Sequence, residues 1–178
     1  MKIFLLGLFV FLFPVLCFGQ TTLADLKPAH AAVLEDFLSK NKEYQFLSSK
    51  VISADYMKFV RESLGKNAKP YYLAADFNQD KFEDFAIILS RKGARKASGA
   101  TSQEHKYDYP LAVVIFNGSK NGTYTRAFIE KLEAPHVCFL KVEGTRKKTL
   151  YFGVFETDNS RIFAPTRNSY VVKAPNYR

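Results

Sequence analysis

The chain has 178 residues, 47% of them hydrophobic and 24% charged, with a net charge of +9. That composition excludes a collagen-like rod, a disordered tail and a protein that crosses the membrane many times. Only one charge, Lys2, lies in the first 18 positions, so the apolar residues are concentrated at the start.

The N-terminus reads Met1-Lys2 followed by an uncharged run from Ile3 to Phe18, interrupted by Pro14. A short basic start, an apolar stretch, and small residues at Cys17 and Gly19 predict a signal peptide over residues 1–19, cleaved before Gln20. An uncleaved anchor would want about 20 apolar residues, and this run is shorter. A lipidated Cys17 would want a small residue before it, and Leu16 stands there. The expectation is therefore a secreted or periplasmic protein whose mature part, residues 20–178, forms one domain with no stable membrane span. Cleavage would leave Cys138 alone, so no internal disulfide is expected and the core has to hold the fold.

The first third of the mature chain (22–65) reads helical. Leu26, Val33, Leu34, Phe37 and Leu38 recur at helical spacing, with Pro28 tolerated in the first turn and Lys40–Lys42 ending the segment. A second helix fits Ala54–Leu64, capped by Ser53 and closed by Gly65. Between them Tyr44–Ile52 is ambiguous.

From Lys69 the pattern turns to short runs rich in β-branched and aromatic residues. Strands are predicted near Tyr71–Asp76, Phe85–Arg91, Leu111–Asn117, Tyr124–Lys131, Val137–Val142, Leu150–Glu156, Ile162–Ala164 and Tyr170–Lys173, making a β part over 69–174. Asn117-Gly118 and Asn121-Gly122 supply hairpin turn residues. Two helices followed by hairpins predict an α+β fold, with both helices packed on a mainly antiparallel sheet. Cys138 lies in an apolar run and is expected to be a buried, unreactive thiol. His136, two residues away, would share a strand face with it.

The sharpest local feature is the segment Asp76-Phe77-Asn78-Gln79-Asp80-Lys81-Phe82-Glu83-Asp84-Phe85. In a basic chain it is acidic, and its oxygen-bearing side chains fall at relative positions 1, 3, 5 and 9. Alternate residues of a tight turn point inward, so short Asp and Asn side chains can converge on one cation. Calcium takes six to eight oxygens and accepts carbonyls and water among them. An EF-hand would place a bidentate Glu at position 12, and Ile87 stands there. The competing reading is an Asp/Asn turn whose side chains bond its own amides.

The spacing resembles the calcium loop of FG-GAP and VCBS-type repeats, D-x-[DN]-x-[DN]-G-x-x-D and an apolar residue. By that resemblance Asp76, Asn78, Asp80 and Asp84 are ligands, the Phe82 carbonyl is the main-chain ligand, and Phe85 is the apolar residue. Lys81 stands where the family has Gly, and the Phe-Gly and Gly-Ala-Pro elements that name it are absent. The resemblance covers one loop and implies a structural Ca2+ rather than catalysis. The whole chain is similar to small exported bacterial proteins of unknown role, in which a Tyr-Tyr…Asp-Phe-Asn-x-Asp segment opens the β part.

The remaining candidate site is basic. Lys92–Asp108 is long and rich in small and charged residues, as functional or mobile loops are. Arg91, Lys92, Arg95 and Lys96 gather at its start, while Arg146, Lys147 and Lys148 crowd a second turn; these are the candidate anion-binding residues. Three functions follow from the sequence. The first is an exported, non-catalytic binding or structural module with a calcium-type loop. The second is a basic domain that holds an anionic envelope polymer or surface, or another protein. The third is a metal-dependent hydrolase; it is the least supported, because His30, His105 and His136 form no ligand spacing with the loop. Phosphate-binding Gly loops, a Gly-x-Ser-x-Gly elbow and Cys-x-x-Cys pairs are absent.

Overall fold

A computed structural model describes residues 26–47, 54–97, 107–144, 148–155, 160–167 and 169–174. The predicted signal segment 1–19, the expected helix cap Ser53 and residues 98–106 of the long loop lie outside these, as do Arg146 and Lys147. Among the described residues the helices are α1 (Pro28–Lys40) and α2 (Ala54–Leu64), separated by strand β1 (Tyr44–Phe46). Nine further strands follow: β2 (Tyr72–Ala75), β3 (Asp84–Arg91), β4 (Lys96–Ala97), β5 (Tyr107–Gly118), β6 (Tyr124–Ala134), β7 (Cys138–Glu143), β8 (Thr149–Val154), β9 (Ser160–Pro165) and β10 (Tyr170–Lys173).

The predicted architecture is overturned, although the elements fall close to their expected places. Among the described residues strand dominates, 50% against 18% helix. Its strands form two antiparallel sheets rather than one, and the helices do not share a sheet face. In the six-stranded sheet β3 and β5 are central and pair with each other; β1 and β2 also pair with β3, and β4 and β6 with β5. The four-stranded sheet runs in the order β10-β9-β8-β7.

Both faces of β3 and β5 are buried, which explains their unbroken apolar runs. Phe85, Ile87, Leu89, Ala112, Val114 and Phe116 pack with Leu34 and Phe37 of α1. The alternate residues Ala86, Ile88, Val113 and Ile115 pack with Leu150, Phe152 and Phe163 of the second sheet. Helix α2 belongs to this second cluster through Tyr56 and Val60, and the Tyr56 hydroxyl donates to the Cys138 carbonyl at 2.7 Å. Thus α1 covers one face of the large sheet, the small sheet covers the other, and α2 joins the core between the sheets.

Local signals account for the helix ends. Pro28 starts α1 where its missing N–H costs nothing, and the Asn41 side chain donates back to the Phe37 carbonyl at 2.7 Å. Asp55 opens α2 and Gly65 closes it with φ of 101°. The long basic loop is not uniformly structureless, because β4 pairs with Tyr107–Asp108. Among the described residues no helix is long and apolar enough to cross a membrane.

Candidate functional site: the acidic loop

The loop between β2 and β3 carries the predicted ligand residues. Strand pairing from Tyr72↔Ile87 to Ala75↔Asp84 brings its two ends together. Asp76 begins the loop and spans it: one carboxylate oxygen accepts from the Asp80 amide at 3.1 Å and the other from the Lys81 amide at 3.0 Å. The Asn78 side-chain oxygen accepts from the same Asp80 amide at 3.0 Å, and its NH2 donates to Asp80 Oδ2 at 2.9 Å. Asp80 Oδ1 accepts from the Phe82 amide at 2.9 Å. Asp76, Asn78 and Asp80 are therefore drawn inward onto consecutive amides, and Phe82 enters through its N–H.

Two residues give the turn its shape. Gln79 has φ of 66° and Lys81 of 76°, both left-handed. A side chain costs about 1 kcal/mol there, and the carboxylate–amide bonds hold the backbone in place. Lys81 is the residue that departs from Gly in the resembled loop, and it adopts the backbone that Gly would favour.

Asp84 is different in kind. It is fully buried, and its Oδ2 accepts from the amides of Phe77 at 2.8 Å and Asn78 at 3.2 Å. Its Oδ1 accepts from the Gly118 amide at 3.0 Å, at the end of β5. Burial pushes its pKa up to about 6, against the three amide bonds, which favour the carboxylate. Asp84 thus ties the loop to the neighbouring hairpin. Gly118 packs so closely there that a Cβ would overlap the Glu83 carbonyl oxygen and stand 3.3 Å from Tyr124 Cε1.

A polar cluster that the sequence did not reveal adjoins the loop. Glu83 pairs with Lys27 at 2.5 Å and lies 3.5 Å from His30 Nε2. His30 is fully buried and stacks on Phe85, with ring centroids 4.3 Å apart. Its Nδ1 meets the Tyr72 hydroxyl at 2.7 Å and its Nε2 the Tyr124 hydroxyl at 2.8 Å. Burial lowers the His30 pKa, with Glu83 opposing and Lys27 assisting. Burial also pushes Tyr72 up to about 12. On the other side Tyr170 donates to Asn117 Oδ1 at 2.9 Å. Its pKa is raised by burial and then by Asp84, Asp80 and Asp76, so β10 brings it beside the acidic loop.

The donor set fits a hard cation in kind: carboxylates and an amide oxygen on a tight turn. The side-chain oxygens of Asp76 and Asn78 and Asp80 Oδ1 each accept from one amide and keep a second lone-pair direction, whereas Asp84 Oδ2 accepts from two amides and has none left. Among the described residues no group of three or more His, Cys, Asp or Glu side chains comes together to hold a metal ion.

The described basic candidates make separate contacts. Arg91 Nε donates to the Leu111 carbonyl at 2.8 Å, the Arg95 guanidinium lies 3.9 Å from the centre of the Tyr107 ring, and Lys96 pairs with Glu133 at 2.8 Å. Lys92 and Lys148 are exposed. Cys138 is fully buried, and burial raises its pKa well above the usual thiol range. His136 precedes β7 rather than lying in it, and stacks on Tyr109 with centroids 3.4 Å apart. Its Nδ1 is buried without a hydrogen-bond partner. No family model, curated protein or solved structure matches the chain.

Proposed function

We propose that the protein is an exported, non-catalytic binding or structural module whose β2–β3 loop takes a structural calcium ion. One observation carries the reading. Asp76, Asn78 and Asp80 turn inward onto consecutive amides, with left-handed residues at Gln79 and Lys81 between and after them. An Asp/Asn turn makes amide bonds of this kind too. Four oxygen-bearing side chains at this spacing, with Asp84 buried at the loop's end, exceed what closing a turn needs. Export rests on the N-terminal pattern of residues 1–19.

Three carboxylates lie in or beside one turn, and Asp80 adds to the burial that raises the Asp84 pKa. A cation would offset that charge and would pull the Asp84 pKa back down. A site on one exposed loop belongs in the weak extracellular range, with Kd about 10⁻⁴–10⁻³ M. At roughly thirtyfold excess over Kd, binding to the folded state alone adds about 2 kcal/mol, or about 4–8 °C in Tm. Asp80→Ala is expected to abolish the calcium-dependent shift. Glu83→Ala is expected to lower the baseline Tm through loss of the Lys27 pair while leaving the shift intact. Equal melting in chelator and in millimolar calcium would leave the segment an acidic turn and overturn the proposal.

A further inference from the structure

Helix α1 buries three side chains against the large sheet, and one of them is polar: His30, beside Leu34 and Phe37. Its ring stacks on Phe85 of β3, which stacks in turn on Phe116 of β5. Tyr72 and Tyr124 reach it from β2 and β6, the strands that flank this central pair. One imidazole therefore ties the helix to both flanks of the sheet face it covers.

The hydrogen bonds assign the tautomer. Burial raises the Tyr72 pKa, and a main-chain hydrogen bond from Lys27 opposes that rise. Only a donated N–H favours a phenolate, so the Tyr72 oxygen accepts from the Lys27 amide. Its single O–H proton is then free to go to His30 Nδ1, 2.7 Å away. That leaves Nε2 as the nitrogen carrying hydrogen, and it donates to the Tyr124 oxygen at 2.8 Å.

A second proton on His30 undoes this arrangement. Nδ1–H would meet the Tyr72 O–H, donor against donor, and Tyr72 would have to turn its proton away from the nitrogen that takes it. A buried hydrogen bond is lost while a charge is buried. The charged groups nearby give little relief. Glu83 Oε1 lies 3.5 Å from Nε2, longer than a good hydrogen bond, and the Lys27 ammonium already holds both Glu83 oxygens, at 2.5 and 2.7 Å. Glu83 attracts an imidazolium here and Lys27 repels it, while burial outweighs both. From β2 and β6 the facing groups are the two tyrosine hydroxyls, and Asp84 of β3 acts on Tyr124.

We infer that His30 is a proton-sensitive clasp: neutral, it fastens α1 to the large sheet through Tyr72 and Tyr124; protonated, it loosens the helix from the Phe85–Phe116 face. The clasp uses none of the calcium-loop ligands and does not rest on that reading.

The test is nuclear magnetic resonance of the purified, isotope-labelled protein in chelator. At pH 7.5 the imidazole nitrogen shifts of His30 are expected to show hydrogen on Nε2 and none on Nδ1. Amide hydrogen exchange is then compared at pH 7.5 and 5.0, each rate corrected for the intrinsic effect of pH. Once α1 opens, His30 titrates near its ordinary 6.5, and in the closed helix below it. Opening of α1 is therefore expected to rise by up to about thirtyfold at pH 5.0. The α1 amides should also exchange faster than those of β5, because the helix opens without the sheets. In His30→Gln, which keeps a donor and an acceptor but cannot titrate, the pH effect on α1 should vanish. Should that variant not fold, the tautomer and the comparison of α1 with β5 in the parent still decide. Hydrogen on Nδ1, α1 protection that ignores pH, α1 amides no faster than those of β5 at pH 5.0, or the same pH effect in His30→Gln would each overturn the inference. Calcium-dependent melting reports on the loop, so the two proposals fail separately.

Discussion

Gly118→Ala sets packing against backbone propensity. Gly118 sits at the end of β5, and its φ is not left-handed. Ala reduces unfolded-chain entropy, so propensity alone predicts a gain of about 0.5–1 kcal/mol. The structure predicts the reverse. The new methyl would overlap the Glu83 carbonyl oxygen and stand 3.1 Å from the Glu83 carbonyl carbon, and both are backbone atoms that no rotamer change can move. Relief requires the β5 end to back away from the loop, which breaks the bond from the Gly118 amide to buried Asp84. A hydrogen bond to a charged buried group is worth about 1.5–3 kcal/mol, and overpacking strain adds about 1–3 kcal/mol. The expected loss is therefore about 3–5 kcal/mol, read from urea unfolding followed by circular dichroism. With m near 2 kcal/mol per molar, the midpoint falls by roughly 1.5–2.5 M. Gly122→Ala in the same hairpin is the control. That glycine has φ of 72° and open space around it, so only the conformational cost of about 1 kcal/mol applies. If Gly118→Ala is as stable as the parent, the coupling of loop to hairpin through Asp84 is wrong.

The other perturbations are simpler. His136→Phe keeps the stack on Tyr109 and removes an unpartnered buried nitrogen, so at pH 7.5 it is expected to be neutral or stabilising by about 1 kcal/mol. Burial holds His136 down to about 4 against 6.5 unfolded, so the unfolded chain takes the proton first as pH falls. The parent should then lose up to about 3 kcal/mol relative to the variant between pH 6.5 and 4. Asp84 acts in the opposite sense, since its folded pKa near 6 exceeds the unfolded value of 3.8; His30 acts in the same sense as His136. The difference between parent and variant is therefore the quantity to measure, and parallel pH–stability curves would refute the assignment. Lys81→Gly relieves a left-handed residue at the cost of a freer unfolded chain, for a net gain of about 0.5 kcal/mol in thermal melting; a clear loss would show that the Lys81 side chain holds the loop.

The sequence reveals the elements better than their arrangement. The second helix falls on Ala54–Leu64 as expected, with Asp55 in its first turn and Gly65 closing it, whereas Lys96–Ala97 carries no apolar signal and β4 is missed. The continuous apolar run of β3 was readable as a strand. That same run implies burial on both faces, which one layer of helices on a single sheet does not supply and a second sheet opposite α1 does. At the site, the Asp/Asn spacing is local and therefore visible. The bond from Gly118 to Asp84 spans 34 positions, and His30 meets Tyr72 and Tyr124 across 42 and 94. No periodicity encodes such contacts. A buried histidine on the apolar face of α1, two residues past its first proline, was the one available hint.

The calcium proposal is tested most directly by following the backbone amides of Asp80, Lys81, Phe82 and Gly118 as calcium chloride is added. These are the amides that Asp76, Asn78, Asp80 and Asp84 hold, so cation binding must change their environment. The account predicts shifts that share one isotherm with a midpoint at about 10⁻⁴–10⁻³ M, are lost in Asp80→Ala, and are poorly reproduced by magnesium, which demands near-octahedral geometry. Amides that stay in place through about ten times that concentration would contradict it.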